Sequence, residues 1–421
     1  MSVDTVLKFI KRFIPRSLFG MAQPYYHGAL AMFGAILYRF PAKRMTVIGV
    51  TGTKGKSSTC EYLNAIFEQA GYKTVLISTI RIKVADESKA ESRHMTMPGR
   101  TTIQRTLAQG LKKGCTVAIL EISSEGAKQW RDRFLYLDSL IFTNLTPEHI
   151  ESHGSFEKYA AVKLGIAERL AHSPKRPRTI IANTDDPRGK KFLETPVEKK
   201  LPYSLGLAEP YTTTAYNSTF TFHGESIRIN FPGEFSIMNA LAACTLAEHT
   251  GIDVATMREA FSKLTTIPGR AENVTADRNF AVVIDYAHTP ESLEAIYKAY
   301  DGKRRICVLG GTGGGRDKWK RPKMGAVADK YCAHIILTNE DPYDEDPQAI
   351  IDDVASGISQ KAEVIIDRRA AIRRAIEIAA PGDAVLVTGK GSNPSICGPK
   401  GNHIPWSDAR VAREELADLG K

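Results

Sequence analysis

The chain has 421 residues, 57 Lys and Arg against 47 Asp and Glu (net charge +10), and six cysteines without any C-x-x-C spacing. This length predicts two or three domains, and the positive charge favours acidic ligands such as phosphorylated metabolites. The cysteine spacing excludes a zinc knuckle and indicates no disulfide framework, so we expect reduced thiols. No recognition-helix or aromatic-basic pattern points to nucleic acid, so none is expected as a partner.

The first 42 residues form a leader that differs from the rest of the chain. Its first part places apolar residues on one helical face, with basic residues nearby: Val6, Ile10, Phe13 and Ile14, then Lys8, Lys11, Arg12 and Arg16. From Ser17 to Tyr38 no residue is charged, but Gln23, Pro24 and His27 interrupt the stretch, which argues against a spanning helix. Two interpretations stay open: helices that pack on the next domain, or a peripheral membrane contact through residues 1–40.

After Pro41 the sequence alternates strand-like apolar runs with helical ones, which predicts an α/β fold with mostly parallel sheets. The strand-like runs are "MTVIGVT", "KTVLIST", "TVAILEISS", "SLIFTNLT" and "TIIANTDDP", then "FAVVIDYAH", "RRICVLGGTGGG", "HIILTNED" and "DAVLVTGKG". Pro268 and Gly269 separate the two series. We therefore predict a central P-loop-type ATPase domain over residues 43–267 and a C-terminal Rossmann-like domain over 268–421.

The stretch "GVTGTKGKSST" follows a predicted strand and opens a predicted helix, the context in which backbone N–H groups bind phosphate. The strict Walker spacing fails, because five residues rather than four separate Gly49 from Gly55. A glycine turn with a surface lysine is the alternative. The residues predicted to bind ATP here are Gly52, Thr53, Gly55, Lys56, Ser57 and Ser58.

The same stretch resembles the ATP loop of the Mur ligase family, with Lys54 where asparagine is common. The resemblance continues through "MTMPGRTT", "LEISSEG", "FTNLTPEHIESHGSFEKYAAVK", "FSIMNALAA", "IPGRAENV", "IDYAHTPES", "GGTGGGRDKWKRPKM", "NEDPYDEDP" and "GKGSN". In order and spacing these are most similar to the branch that adds the third residue to the peptide of the peptidoglycan precursor. The resemblance implies a monomeric, cytoplasmic, ADP-forming ligase that uses ATP and Mg²⁺ and passes through an acyl phosphate.

The resemblance also implies roles for individual residues. The catalytic and metal-binding set would be Lys56, Ser57, Glu121, His149 and Lys163, the last as a carbamate. ATP would further contact Asn239, Arg270, Asp285 and Lys318, and the muramoyl-dipeptide acceptor would contact Thr96, Met97, Ser124 and Arg131. Without the family, Glu121 reads as a cap or ion-pair carboxylate, His149 as an ordinary hydrogen-bonded histidine, and Lys163 as a solvated helix lysine.

Several positions depart from the family pattern. Glu125 replaces a common histidine near the acceptor site, which weakens the inference on the acceptor's fine identity. The predicted amino-acid site consists of Glu340, Asp341, Tyr343, Gly389 and Asn393, and it lacks the arginine and the glutamate that grip diaminopimelate. Because Glu340, Asp341, Asp344 and Glu345 make this segment acidic, we predict a lysine- or ornithine-like substrate over meso-diaminopimelate.

Family members usually open with a UDP-binding domain of about a hundred residues, whereas some 40 residues precede the loop strand here. The leader could replace that domain, the nucleotide could be held weakly, or the acceptor could be lipid-linked or otherwise free of UDP. Two other functions remain open: a folylpolyglutamate- or cyanophycin-synthetase-like ligase, and a non-catalytic nucleotide-binding scaffold. Joint retention of Lys56, Glu121, His149 and Lys163 argues against the scaffold.

Overall fold

The structure is a computed structural model that describes residues 16–91, 95–275 and 279–420, with side chains described from residue 26 onward. The amphipathic segment predicted at the start of the chain lies outside these residues. The described part begins with helix α1 (Arg16–Leu37) and a 3₁₀ turn (Pro41–Arg44). Among the described helices, none combines the length and apolar character needed to cross a bilayer.

An eight-stranded sheet forms the centre of the first large unit, in the order β4-β3-β2-β5-β1-β6-β7-β8. Its strands are β1 (Thr46–Thr51), β2 (Thr74–Ile77), β3 (Arg81–Val84), β4 (Glu87–Ala90), β5 (Val117–Glu121), β6 (Ser139–Phe142), β7 (Thr179–Asn183) and β8 (Lys199–Tyr203). Six are parallel, and β3 and β4 add an antiparallel edge. The carboxyl ends of β1, β5 and β6 therefore lie side by side, since Val50 pairs with Glu121 and Thr51 with Phe142.

Helices cover both faces of this sheet, as its continuous apolar strands require. They are α2 (Lys56–Gln69), α3 (Arg100–Lys112), α4 (Ser124–Lys128), α5 (Ile150–His153), α6 (Phe156–Ala171), α7 (Gly189–Leu193), α8 (Glu234–His249) and α9 (Val254–Lys263). Helix α8 is buried on most of its surface and packs on α2, which holds the phosphate loop's helix in place. A small antiparallel sheet, β9 (Thr212–Thr213), β10 (Ser218–Phe222) and β11 (Glu225–Ile229), closes the same core.

The second large unit is a six-stranded sheet in the order β12-β13-β17-β14-β15-β16, parallel except for β12. Its strands are β12 (Glu272–Asn273), β13 (Ala281–Ile284), β14 (Arg305–Leu309), β15 (His334–Leu337), β16 (Glu363–Val364) and β17 (Ala384–Val387). Around it lie α10 (Pro290–Ala299), α11 (Lys320–Tyr331), α12 (Pro347–Ala355), α13 (Arg368–Glu377), the hairpin β18 (Ser395–Cys397) and β19 (His403–Pro405), and α14 (Asp408–Asp418).

The α/β class and both series of predicted strands are confirmed. The domain boundary near residue 268 stays a prediction, placed in the connection between α9 and β12. Each sheet is buried between two layers of apolar side chains, so the two units carry separate cores. Ligands of such sheets bind beyond the carboxyl ends of the strands.

One expectation about the cysteines is wrong in this structure. Cys307 on β14 and Cys332 after α11 form a disulfide, with Cα atoms 6.0 Å apart. The two residues are 25 positions apart in sequence. Only the return of α11 onto the sheet brings them together, so their spacing could not reveal the pair. The other four cysteines are buried thiols.

Candidate active site

A cleft of about 1020 Å³ is lined by the carboxyl-end loops of both large sheets. It brings together most of the predicted site residues: Thr53, Gly55, Lys56, Ser57, Ser58, Thr96, Met97, Glu121, Ser124, Arg131, His149, Lys163, Asn239, Arg270, Asp285, Glu340, Asp341, Tyr343, Gly389 and Asn393. Gly52 and Lys318 are the predicted residues that do not line it. The cavity is large enough for a nucleotide together with part of a second substrate.

The phosphate loop connects β1 to α2 through a tight turn. Gly55 has φ +83°, and a Cβ there would lie 2.1 Å from Asn239 Oδ1, so only glycine fits. Lys56 opens α2 and donates its Nζ to the Thr53 carbonyl at 2.9 Å, so its ammonium lies over the loop. The turn, the helix N-terminus and the lysine form a site suited to phosphate.

Glu121 ends β5 directly beside this loop. Its Oε2 accepts hydrogen bonds from Ser57 Oγ (3.0 Å), Thr79 N (2.8 Å) and Thr79 Oγ1 (2.9 Å). Although the carboxylate is buried, these donors hold it in a fixed position. The sequence-only alternative of a cap or surface ion pair is wrong.

The described residues contain no group of three or more His, Cys, Asp or Glu side chains that could hold a metal ion. Magnesium in phosphate-transfer sites needs only one or two protein carboxylates, because phosphate oxygens and water complete its shell. The Ser57 hydroxyl and the Glu121 carboxylate, 3.0 Å apart and lining the cleft, fit that requirement.

Lys163 is the clearest case in which helix periodicity misleads. It lies on α6 but is only 1% exposed, so the interpretation as a solvated lysine is wrong. Its Nζ donates to the Gly52 carbonyl at 2.7 Å, which ties α6 to the phosphate loop. Burial, followed by the charge of Lys56, holds the pKa of Lys163 well below its usual range. A neutral amine is the form that adds CO₂, so the environment suits the predicted carbamate.

His149 adopts φ +57° immediately before α5 and lines the cleft. Burial lowers the pKa of its imidazole, so it is a neutral potential ligand. The backbone N–H groups of His149 and Ile150 donate to the Asp317 carboxylate at 2.8 and 3.3 Å. Asp317 comes from the second unit and fixes the turn that carries His149. Sequence reasoning missed it because its role depends on a contact 168 positions away.

A second contact between the units starts at Lys54, the departure in the phosphate loop. Its Nζ lies 3.1 Å from Glu148 Oε1, and Glu148 Oε1 lies 2.7 Å from His288 Nε2. Burial, then the charge of Lys54, lowers the pKa of His288 to about 4. Despite its burial, Glu148 has a pKa well below its usual range because Lys54 and His288 face it. The lysine thus connects the phosphate loop to the loop after β13.

Arg270 crosses between the units in the direction predicted for it. Its Nη2 donates to Ser57 Oγ at 3.3 Å, and its guanidinium lies 4.6 Å from the centre of the Tyr286 ring. Asp285 also lines the cleft, but its two oxygens accept the backbone N–H groups of Ala271 and Ala287, each at 2.7 Å. Asp285 therefore shapes the joint, and its contact with the nucleoside stays a prediction.

The predicted acceptor residues surround one end of the cleft. Arg131 donates to the Met97 carbonyl and, at 2.8 Å, to Gln129 Oε1, so it braces the segment that carries Thr96. Thr96 Oγ1 lies 3.0 Å from Thr79 Oγ1, and because the Thr79 hydroxyl donates to Glu121, Thr96 is the donor in this contact. The contact links this segment to Glu121. Ser124 is buried at the start of α4.

Glu125, the residue that replaces the family's histidine, also lies at the acceptor end. It accepts from the Ser152 hydroxyl and lies 3.3 Å from His153 Nε2. The Glu125 carboxylate is therefore engaged by residues of α5.

On the side of the cleft formed by the second unit, most of the predicted acidic residues have internal partners. Asp341 Oδ1 accepts from Lys390 Nζ at 2.6 Å and from Cys397 N at 2.7 Å. Glu345 pairs with Arg321 and Lys318, each at 3.0 Å, and Asp344 accepts from Lys400 N at 2.7 Å. The charge argument for a lysine-like substrate is therefore weakened, because Asp341 and Glu345 have counter-ions and Asp344 does not line the cleft.

Glu340 is the exception among these carboxylates. Its Oε1 accepts from Thr312 Oγ1 at 2.7 Å, while Oε2 is buried without a hydrogen-bond partner among the described residues. Burial, then the neighbouring Asp341, raises the pKa of Glu340. Gly389, with φ +102°, leaves room for this carboxylate, since a Cβ there would lie 2.3 Å from Oε2.

Tyr343 and Asn393 complete this end. Arg316 Nη2 donates to Tyr343 Oη at 3.1 Å, and the guanidinium lies 5.1 Å from the ring centre. Arg316 lines the cleft although the sequence had not singled it out. A cation therefore lies in the region that composition alone marked as acidic.

The prediction that Lys318 contacts ATP is wrong in this structure. Its side chain is 60% exposed and pairs with Glu345, so it does not reach the cleft as a phosphate contact. Two residues further on, Lys320 is buried and lines the cleft. The loop before α11 turns between them, and this turn decides which lysine points inward. Spacing within "RDKWK" could not distinguish them.

A phosphate loop, a fixed carboxylate beside it and a cleft between two α/β sheets form a site suited to a nucleotide and a second substrate. Residues 50–247 match the Mur ligase middle domain, and residues 269–391 match the Mur ligase glutamate ligase domain. The chain belongs to the Mur ligase family, whose members are ATP-dependent, ADP-forming ligases.

The chain is similar to several ligases that act on muramoyl-peptides. One is the UDP-N-acetylmuramoyl-L-alanyl-D-glutamate–2,6-diaminopimelate ligase of Syntrophomonas wolfei, 34% identical over 94% of this chain and 83% of the relative. Another is the UDP-N-acetylmuramyl-tripeptide synthetase of a Roseiflexus species, 33% identical over 93% of this chain and 82% of the relative. A solved structure of a diaminopimelate ligase of the first kind is 27% identical, with a TM-score of 0.61, over 90% of this chain and 79% of that one.

Proposed function

We propose that the chain uses ATP to add a diamino acid to a muramoyl-dipeptide precursor of peptidoglycan. The observation that carries this proposal is that the phosphate loop, Glu121, Lys163, the acceptor residues and Glu340 all line one cleft. The names of the relatives support the same choice of acceptor. We further propose that the protein works as a monomer in the cytoplasm.

The first step activates the acceptor. An acceptor carboxylate oxygen attacks the γ-phosphorus of ATP, the bond to the β-phosphate oxygen breaks, and an acyl phosphate and ADP result. Lys56 and Arg270 lie where they can neutralise charge on the transferred phosphoryl group. Because Arg270 reaches Ser57 from the other unit, the site is complete only with the units together.

The second step forms the amide. The neutral amine of the incoming amino acid attacks the acyl carbon, the carbon–oxygen bond breaks, and phosphate leaves with the proton that the amine loses. Glu340 lines the cleft, and its buried Oε2 has no hydrogen-bond partner among the described residues, so we assign this carboxylate to hold an amino group of that substrate. We assign Tyr343, Gly389 and Asn393 to the shape of the same pocket.

Magnesium, where bound, supplies charge neutralisation for the phosphates. We propose that Ser57, Glu121, His149 and carbamylated Lys163 would hold the magnesium ions, with the carbamate serving a second ion. The carbamate is supported by the burial of Lys163 and its contact with the phosphate loop. It would replace a buried amine by an anion that the neighbouring Lys56 stabilises. Native mass spectrometry with and without bicarbonate tests it through the mass of one bound CO₂.

The contacts in the cleft favour a diamino acid but do not distinguish lysine, ornithine and meso-diaminopimelate. The preference for lysine or ornithine over meso-diaminopimelate is not supported by the names of the relatives, and its charge argument has lost most of its carboxylates. Arg316 could pair with a substrate carboxylate while Glu340 receives an amine. We therefore propose a diamino acid and leave the choice among the three to experiment.

Phosphate release by the purified protein with Mg-ATP tests this function. UDP-muramoyl-dipeptide is supplied with lysine, ornithine or meso-diaminopimelate, one at a time, and then replaced by a lipid-linked muramoyl-dipeptide. We expect release that requires both acceptor and one diamino acid. Release with a pteroyl acceptor and glutamate instead would contradict the muramoyl assignment and favour a folylpolyglutamate-type ligase.

A further inference from the structure

Helix α1 buries its small apolar residues and exposes its large ones, which is the reverse of the usual arrangement. Ala31 and Ala35 are buried at 2% and 0% exposure, whereas Phe33, Ile36 and Leu37 are 60%, 58% and 55% exposed. A surface helix normally buries its large apolar side chains and exposes its polar ones. Here the small side chains face the protein and the large ones face outward.

Close packing keeps the helix in this orientation. A Cβ on Gly34 would lie 3.1 Å from the Thr101 Cα, and one on Gly28 would lie 2.8 Å from the Trp130 ring. A side chain at Gly28 would displace the Trp130 ring, and one at Gly34 would be tighter than ordinary van der Waals contact with the α3 backbone. Rotation of α1 to bury Phe33 and Ile36 would therefore require the helix to move away from α3.

The exposed apolar residues form one continuous strip, which we call the α1 outer face. Its members, spaced by three or four positions or adjacent to such positions, are Tyr26, Ala29, Met32, Phe33, Ile36 and Leu37. Residues with this spacing lie on one side of a helix, over a length of about 16 Å. The strip contains no charged residue.

Positive charge flanks the strip. Arg39, Lys43 and Arg44 follow the helix and are all exposed. Residues 1–44 contain seven Lys and Arg but one acidic residue, a net charge of +6 out of +10 for the whole chain. The remaining 377 residues therefore carry only +4. Positive charge is concentrated in the same tenth of the chain as the exposed apolar strip.

We propose that the α1 outer face inserts into the interface of a membrane that contains anionic lipid. An apolar strip with basic residues beside it matches a helix lying in the plane of a bilayer surface. A second copy of the chain would bring two strongly positive segments together, which opposes that pairing. The contact is peripheral, and it is independent of the proposed reaction because none of these residues lines the cleft.

Vesicle flotation of the full chain tests the proposal. We expect binding to vesicles of phosphatidylcholine with roughly 30% phosphatidylglycerol, and little binding to phosphatidylcholine alone. The variant Phe33→Gln/Ile36→Gln/Leu37→Gln removes the apolar strip while keeping good helix formers. The variant Arg39→Glu/Lys43→Glu/Arg44→Glu reverses the flanking charge. Each should lower the fraction bound to anionic vesicles at least about tenfold, the second more strongly at low salt.

Matched controls distinguish binding through the α1 outer face from non-specific adsorption through other exposed apolar residues. Leu207→Gln/Ile404→Gln changes two residues that are 54% and 50% exposed elsewhere and should leave binding unchanged. Thermal unfolding and ATP-dependent phosphate release should be the same in all variants, since every changed side chain is exposed.

Two results would overturn the proposal. One is equal binding to neutral and anionic vesicles, or binding that neither variant weakens. The other is absence of vesicle binding together with a dimer, detected by light scattering, that the Phe33/Ile36/Leu37 variant dissociates. That second result would show that another copy of the chain covers the α1 outer face.

Discussion

The two ends of the cleft differ in how their charged groups are arranged. At the phosphate end, Glu121 and Lys163 are buried, and each contacts the loop that must hold the nucleotide. At the amino-acid end, Asp341 and Glu345 pair with cations from other segments, while the buried Oε2 of Glu340 has no hydrogen-bond partner among the described residues. The charged groups at the phosphate end therefore contact the phosphate loop directly, whereas most of those at the amino-acid end are paired within the protein and Glu340 is the exception.

The largest effect is expected at the phosphate end, from Lys163→Ala. Loss of the carbamate would remove a proposed metal ligand, so activity should fall by about 100- to 1000-fold or more. Lys158→Ala, an exposed lysine on the same helix, should keep wild-type activity. Steady-state phosphate release measures both. Equal activity in the two variants would remove Lys163 from the mechanism.

At the amino-acid end we expect Glu340→Gln to act mainly on the amino acid. The substitution weakens the proposed contact with an amine, so KM for the amino acid should rise about 10- to 100-fold. KM for ATP should stay unchanged. Asp344→Asn, an acidic neighbour that does not line the cleft, should behave like wild type. A matching rise in KM for ATP would show that Glu340 supports the whole cleft instead.

Lys318, just before α11, and Lys320, its first residue, give a smaller, paired test. Lys320→Met removes a buried cation from the cleft, and we expect a roughly tenfold loss of kcat/KM for ATP. Lys318→Met should change this ratio less than about twofold, because exposed ion pairs contribute little. If Lys318→Met were the more damaging of the two, the loop would have to turn differently with nucleotide bound.

The smallest effect concerns pH and the contact between the units. His288 has a pKa of about 4 in the folded protein against an ordinary value of 6.5, so the unfolded chain takes up its proton first as pH falls. Stability should therefore be complete above about pH 6.5 and decrease toward pH 4.5, by at most about 1.4 kcal/mol per pH unit. His288→Gln should flatten this dependence in denaturant unfolding curves. An unchanged slope would mean that His288 is protonated in the fold.

Local signals in the sequence predicted much of this structure. Apolar runs of four to six residues marked the central strands, and the glycines and lysine after β1 marked the phosphate loop. These features depend on neighbours within a few positions, which a single sequence displays.

Features that depend on distant partners could not be predicted in this way. The burial of Lys163, the choice of Lys320 over Lys318 and the Cys307–Cys332 disulfide all depend on how separate segments return to the same place. The neutralisation of Asp341 by Lys390 is of the same kind, since 49 positions separate them. Net charge along a segment therefore predicts local charge only where the fold brings no counter-ion.

The most direct test of the proposed chemistry follows oxygen from the acceptor. A muramoyl-dipeptide labelled with ¹⁸O in the reacting carboxylate is incubated with Mg-ATP and the active diamino acid, and the released phosphate is analysed by mass spectrometry. We predict one labelled oxygen in each phosphate, because the carbon–oxygen bond of the acyl phosphate breaks when the amine attacks. Release of phosphate without label would contradict acyl phosphate formation in this cleft.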